Sequence, residues 1–121
     1  MRLIALRGAN TVEANEPAAI LAATTELMQA LIERNRLDAD NLVSCLFTLT
    51  EDLDAEFPAV AARNIGFSAV PLLCAREIPV PNALPRVIRI LMHYYAEDEH
   101  TPRHIYLGDA RTLRLDIEGA Q

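Results

Sequence analysis

Four arginines stand beside apolar segments of the chain, where a buried positive charge is costly unless an anion neutralises it. They are Arg7, Arg63, Arg89 and Arg114. All 11 basic residues of the chain are arginines, and none is lysine. A guanidinium presents a planar fork of donors that can bind a carboxylate through two hydrogen bonds. Genome composition explains this usage, and so does a carboxylate-binding site; the two explanations are compatible.

A thiol, a cation and an anion end the apolar run "VPLLCAREI" at residues 70–78. They are Cys74, Arg76 and Glu77. If the segment is a strand, alternation sends Cys74 and Arg76 to one face and Glu77 to the other, unless the strand has ended by then. The set could form the edge of a binding site. A buried small thiol next to solvated charges would have the same sequence.

Several kinds of chemistry have no counterpart in the sequence. The chain has no GxGxxG and no Walker loop, and the missing lysine rules out a Schiff-base or P-loop lysine. The only serines, Ser44 and Ser68, do not lie in a nucleophile elbow. His100 and His104 are separated by Pro102, which opposes the helix that would align them, so we predict solvated loop histidines. We expect neither a metal nor a cofactor.

Length and composition indicate one small domain. The chain has 121 residues, 51% of them apolar, and a net charge of −6, which argues against a nucleic-acid-binding surface. No apolar run approaches the roughly 20 residues of a membrane helix, and Arg7 interrupts the N-terminus too early for a signal peptide. We therefore predict a cytoplasmic protein without a membrane partner, whose Cys45 and Cys74 are reduced thiols.

The elements that must position these residues follow from hydrophobic patterning and turn signals. We predict a first strand from Arg2 to Arg7 closed by Gly8, a long helix with Pro17 in its first turn, and a short helix within "FPAVAARNI". The long helix has an inward stripe of Ile20, Thr24, Leu27, Met28 and Leu31. Further strands are predicted at 42–49, at 70–74, in "RHIYLG" and in "RTLRLD", with a proline-rich loop in "IPVPNALP".

The segment "PRVIRILMHYYAEDE" is ambiguous. Periodicity slightly favours a helix, in which Arg86, Arg89 and His93 share a polar side. Its β-branched and tyrosine residues instead favour a strand that is apolar on both faces, with Arg89 intruding. Either way, these few short elements predict an α+β or small mixed-sheet domain.

Five blocks of this sequence together resemble the small, single-domain, trimeric chorismate mutases. The blocks are "LRGANTVEANE", "FPAVAAR", "VPLLCAREI", "IRILM" and "RHIYLGDARTLR", and the resemblance runs from Arg2 to Asp116. It implies one domain at 1–116 with a short tail at 117–121. The implied α+β fold is a mixed five-stranded sheet packed by one long and one or two short helices. It is of ferredoxin-like or chorismate-mutase type, and its trimer forms a pseudo-α/β barrel. In that fold the ambiguous segment is a strand.

The resemblance also implies a reaction, the pericyclic rearrangement of chorismate to prephenate in phenylalanine and tyrosine biosynthesis, at sites between the subunits of a homotrimer. It places Arg89 at the ether oxygen and one carboxylate, Arg7 at a carboxylate with Tyr106 beside it, and Glu77 at the ring hydroxyl beside Cys74. It also implies further contacts in two groups. The apolar wall is formed by Phe57, Ala59 and Leu113, and the mouth is guarded by Arg63 and Arg114.

The sequence departs from the family pattern at several positions. Val60 stands where a basic residue is frequent, which should raise KM for an anionic substrate. The loop "VPNALPR" replaces a glycine-containing loop, and Leu115 replaces a frequent proline. Two other functions stay open at this point. One is a non-catalytic trimer that binds a small carboxylate, and the other is a trimeric hydrolase of imines or enamines.

Overall fold

A computed structural model describes residues 1–113 and shows a mixed five-stranded sheet with two α-helices. The strands are β1 (Arg2–Thr11), β2 (Leu42–Leu49), β3 (Leu72–Arg76), β4 (Val87–Ala96) and β5 (Ile105–Tyr106), and the helices are α1 (Pro17–Asn35) and α2 (Ala59–Asn64). Short 3₁₀ helices span Ala39–Asn41 and Gly108–Thr112. The sheet order is β3-β2-β4-β1-β5, with β2–β3 and β1–β5 parallel and the pairs made by β4 antiparallel. The predicted α+β class is confirmed.

One face of the sheet is covered by the helices. Every second side chain of β4 points toward the helices, and these four are buried: Ile88, Ile90, Met92 and Tyr94. The predicted stripe of α1 is fully buried against this face, so the helix prediction is confirmed. Burial of this apolar surface is the main stabilising term of the domain. No helix within residues 1–113 is long and apolar enough to cross a membrane.

The opposite face of the sheet carries no α-helix within the described chain, and we call it the open face. It displays apolar side chains that are exposed by 36–60%: Leu3, Leu46, Leu73 and Tyr95. Register pairs Leu46 with both Leu73 and Leu91, so these residues form a row across β3, β2 and β4. Such a contiguous apolar row is typical of a surface that packs against another molecule.

The ambiguous segment is a strand, and the helix that its periodicity slightly favours is wrong. β4 lies at the centre of the sheet and pairs with β1 from Val87 to Ala96 and with β2 from Ile88 to Tyr94. The helices bury one face of β4 fully, and neighbouring side chains shield the other in part, which explains a sequence that is apolar at nearly every position. Tertiary pairing outweighs the local periodicity.

Two predicted boundaries and one predicted strand are corrected by the structure. β1 continues past Gly8 to Thr11; a Cβ at Gly8 would lie 3.0 Å from Leu27 Cδ1, so the glycine lets α1 pack closely on β1. β3 begins and ends two residues later than predicted. The predicted strand in "RTLRLD" is wrong as far as Leu113: Gly108, at φ +54°, turns the chain off the sheet into a 3₁₀ helix, and the Asp109 N–H bonds to Thr11 Oγ1.

The two loop histidines are also not simply solvated. The Nδ1 atom of His104 accepts a hydrogen bond from the Arg7 backbone N–H over 3.0 Å, and His100 Nε2 lies 2.6 Å from the Tyr94 hydroxyl. Burial is the main cause that lowers the pKa of both imidazoles, and the charges of Arg2 and Arg7 add to it. Both side chains tie the loop that precedes β5 to the sheet.

Candidate active site

Two adjacent rows of the open face form a cavity of about 180 Å³. The first row, read through the strand register, is Ala75, Thr48, Arg89, Ala9 and Tyr106, and the second is Leu73, Leu46, Leu91 and Arg7. Directly opposed residues share a face of the sheet, so these side chains project to one side. Arg7, Leu46, Thr48, Arg89 and Tyr106 line the cavity. Three residues proposed from the sequence, Arg7, Arg89 and Tyr106, are thus brought together.

Arg89 forms an ion pair with Glu77 at the edge of this cavity. Arg89 Nε lies 3.0 Å from Glu77 Oε2, and the two side chains are 43% and 15% exposed. The Nε–H does not point along that line, so the contact is electrostatic, and this buried Nε has no hydrogen-bond partner within residues 1–113. A buried donor without a partner is a group that gains free energy when a ligand or a small rotation satisfies it.

Glu77 is held in place from two directions. Its backbone N–H donates to Leu49 O over 2.9 Å, which extends the β2–β3 pairing one residue beyond the strand. Its Oε2 accepts a hydrogen bond from Thr48 Oγ1 over 2.7 Å. Glu77 therefore reaches the open face, as alternation from Leu73 and Ala75 requires.

Arg7 and Tyr106 come from neighbouring strands on the other side of β4. Arg7 lies opposite Leu91 in the register, and its backbone is fixed by His104. Tyr106 is 7% exposed and packs in a small cluster with Ala9, Val87 and Ala110, to which Leu113 adds its partly buried side chain. The 3₁₀ helix at Gly108–Thr112 therefore supports Tyr106 from behind the cavity lining, through Ala110.

Four other predicted residues lie away from this cavity. Phe57, 67% exposed, and Cys74 line a second groove of about 340 Å³ that shares no residue with the first. Arg63 is exposed in the last turn of α2, and Ala59 is buried in the main core. Arg114 lies outside the described residues. Within residues 1–113, then, Phe57, Ala59 and Arg63 are not assembled around Arg89.

The cysteines occupy the helix-covered side of the sheet. Cys74 pairs in register with the fully buried Phe47 and packs against the main core, so it lies on the face opposite to the Glu77 carboxylate. Cys45 is buried, and burial, with the neighbouring Cys74 as a second cause, raises the pKa of its thiol to about 12. Both thiols are free. Cys45 is protonated at neutral pH and is therefore no nucleophile.

Sequence reasoning missed Thr48, Leu46 and Leu91. A signal for Thr48 existed: it alternates with the buried Phe47 in a strand whose bounds are predictable, so it must face the same side as Leu46. Its register with Arg89 was not predictable, because it requires the β2–β4 pairing.

The electrostatics of the cavity suit an anionic ligand. Arg7 and Arg89 contribute two positive charges, and within residues 1–113 Glu77 is the one carboxylate at ion-pair distance from either guanidinium. The net positive charge attracts a small carboxylate, because water screens it only in part. The leucines in the lining can in addition pack against an apolar ring of the same ligand. Preorganised donors of this kind stabilise negative charge that develops on a bound oxygen.

Comparison with known proteins gives consistent results. The sequence model of the family described as chorismate mutase type I matches residues 3–117. Chorismate mutase AroH of Thermus thermophilus is 49% identical over 118 residues, which cover 96% of this chain and 97% of that protein. The AroH of Bacillus subtilis is 35% identical over 119 residues, covering 97% and 94%.

A solved structure agrees with the sequence comparisons. The chorismate mutase from Clostridium thermocellum superposes with a TM-score of 0.87 at 43% identity, over 91% of this chain and 99% of that one. The fold, the near-complete coverage and the family match all agree. This chain belongs to the type I chorismate mutase family.

Proposed function

We propose that the two-row cavity is the place where this chorismate mutase rearranges chorismate to prephenate, in the biosynthesis of phenylalanine and tyrosine. One observation carries the proposal: Arg89 stands at the centre of the sheet, its Nε buried and unsatisfied within residues 1–113, at the edge of a cavity that also holds Arg7. The reaction breaks the ether C–O bond and forms a C–C bond within one molecule. No proton transfer and no bond to the protein are needed.

The cavity residues have distinct roles in this proposal. Arg89 donates to the ether oxygen, where negative charge grows as the C–O bond breaks, and to one carboxylate. Arg7 binds a carboxylate, and the Tyr106 hydroxyl bonds beside it. Glu77 accepts from the ring hydroxyl. The protein thereby holds the folded conformer and stabilises the developing charge, and both effects lower the barrier.

The remaining site residues come from a second copy of the chain in this proposal. Phe57, Ala59 and Cys74, together with Arg63, would border the cavity of a neighbouring subunit, with Leu113 and Arg114 at the cavity's own rim. Two features support a homotrimer with sites between subunits: Phe57 lies outside its own chain's cavity, and the open face exposes an apolar row. The two free thiols support a reducing, cytoplasmic location.

The test is a direct assay of the purified protein. Loss of chorismate is followed by ultraviolet absorbance, and the mass of the protein in solution is measured in the same buffer. We expect turnover without any added cofactor and a mass of three chains. Stoichiometric binding of chorismate without turnover would contradict the proposal and favour a carboxylate-binding protein.

A further inference from the structure

Glu77 has both of its side-chain contacts on the same oxygen. Thr48 Oγ1 donates to Oε2 over 2.7 Å, and Arg89 Nε lies 3.0 Å from that atom. Within residues 1–113, Oε1 of Glu77 has no hydrogen-bond partner. Thr48 and Arg89 are directly opposed in the β2–β4 register, so one row of the sheet supplies both contacts.

We infer that Thr48 is a positioning residue for this reaction: its hydroxyl fixes the Glu77 carboxylate with Oε2 turned toward Arg89 and Oε1 left to accept the substrate's hydroxyl. The inference rests on the proposed role of Glu77. Thr48 itself need not touch the substrate, although it lines the cavity.

The physical reason is a competition for Arg89. A carboxylate that is free to rotate beside a guanidinium tends toward the bidentate arrangement, in which both oxygens bind two nitrogens of the fork. That arrangement would use the donors that the ether oxygen and the substrate carboxylate require. Thr48 holds Oε2 beside Nε, so the terminal nitrogens of Arg89 stay available. A hydrogen bond to a charged group is strong enough to select one orientation of the carboxylate.

The burial of the pair supports this reasoning. Glu77 is 15% exposed, so water cannot readily replace the Thr48 hydroxyl as a donor. Valine has nearly the shape of threonine and an equally good strand propensity, but it cannot donate. Thr48→Val therefore removes one hydrogen bond and leaves the sheet in place, whereas Thr48→Ser keeps the hydroxyl.

The experiment compares these two variants with chorismate as substrate. We expect Thr48→Val to lower kcat by about 10- to 100-fold, the range for a lost hydrogen bond to a charged group. Thr48→Ser should stay within about 3-fold of the parent, because it retains the donor. Affinity for a cyclic dicarboxylate that lacks the ring hydroxyl should change by less than about 2-fold in both, since Arg7 and Arg89 bind its carboxylates.

A double-mutant cycle separates this role from a structural one. If Thr48 acts through Glu77, Thr48→Val should have little further effect in a Glu77→Ala background, whereas a general loosening of the sheet would add to it. Thr25→Val on α1, outside the cavity lining, is the matched control. Thermal unfolding of each variant shows whether it folds, and if Thr48→Val does not, Thr48→Ala enters the same cycle.

Two results would overturn the inference. The first is near-parental turnover by folded Thr48→Val while Arg89→Ala and Glu77→Ala are impaired; the proposed active site would then stand and only the role of Thr48 would fall. The second is full additivity in the cycle. Near-normal turnover by Arg89→Ala would instead refute the proposed site itself, so the two failures are distinguishable.

Discussion

Arg89 shows how a single side chain can be costly for folding and useful for catalysis. Its Nε is removed from water and is compensated within residues 1–113 by one carboxylate, at 3.0 Å. A cation held in this way does not have to reorganise when negative charge develops beside it, which is the condition for strong electrostatic catalysis. The residue's distinctive surroundings are therefore explained by the reaction better than by stability.

We expect Arg89→Ala to lower kcat by at least about 10²-fold, the usual scale for the loss of one preorganised donor at a developing oxyanion. The measurement is chorismate turnover at saturating substrate, and Arg34→Ala, an exposed arginine in the last turn of α1, is the control. Turnover of Arg89→Ala close to that of the control would show that Arg89 has no such role.

The adjacent charges Arg76 and Glu77 should differ sharply when removed. Glu77 contacts Thr48 and Arg89 on the open face, whereas Arg76 is exposed on the face to which Cys74 also points. We expect a severe loss of kcat/KM in Glu77→Ala and a mild one in Arg76→Ala, both measured with chorismate. Equal losses in the two variants would contradict the assignment of Glu77 and Arg76 to opposite faces of the sheet.

At the scale of elements, a pH-dependent hydrogen bond between His104 and the Arg7 backbone connects the loop before β5 to β1. His104 Nδ1 accepts the Arg7 N–H and must be unprotonated to do so. Burial and the Arg7 charge hold the pKa of His104 below its unfolded value of about 6.5. The unfolded chain therefore binds this proton more readily than the folded one. The contribution to stability is complete above about pH 6.5 and is lost as pH falls toward the lowered pKa.

We expect the thermal midpoint of the parent protein to fall between about pH 7 and pH 5, and His104→Asn to reduce that fall. Asparagine can still accept from Arg7 through its side-chain oxygen but does not titrate in this range. The measurement is thermal unfolding across the pH series, with the parent protein as reference. His100 still titrates in the variant, so some dependence should remain; an unchanged slope would contradict the role of His104.

Elements whose signals are local are predictable from this sequence. Strand β2 is an apolar run between polar turns, and α1 has Pro17 in its first turn and a clear inward stripe. β4 is not predictable by periodicity, because its apolar character on both faces comes from its central position in the sheet. As far as Leu113, the last predicted strand is wrong because a turn at Gly108 and a hydrogen bond to Thr11 decide the path of the chain, and both depend on tertiary placement.

The site was predictable in part, and for the same reason. Arg7, Arg89 and Tyr106 lie together as the family resemblance implies, whereas the position of Thr48 beside Arg89 and Glu77 depends on cross-strand register. Phe57 and Arg63 lie elsewhere on the same chain. A single sequence does not state which copy of the chain supplies a side chain, so a site divided between copies has no signature in it.

At the scale of the whole molecule, division of the site between subunits can be tested by mixing inactive variants. If Arg89 and Arg63 of different chains meet at one site, Arg89→Ala and Arg63→Ala trimers that are unfolded and refolded together should regain activity. Random mixing yields some sites with both native residues, so we expect recovery to a measurable fraction of the parent rate. The assay is chorismate turnover, and each variant refolded alone is the control. No recovery in mixtures of confirmed mass would contradict a site that is shared by Arg89 of one chain and Arg63 of another.

The position of β4 has a consequence for how this protein loses activity. Backbone bonds to β1 and β2 hold the strand on both sides along most of its length. Its amide protons should therefore exchange with deuterium only when the entire sheet opens, because no smaller fluctuation frees them. The Arg89 guanidinium is thus carried by the strand that we expect to exchange most slowly. As long as the proposed trimer stays assembled, denaturant should accordingly abolish turnover only at concentrations that also abolish secondary structure.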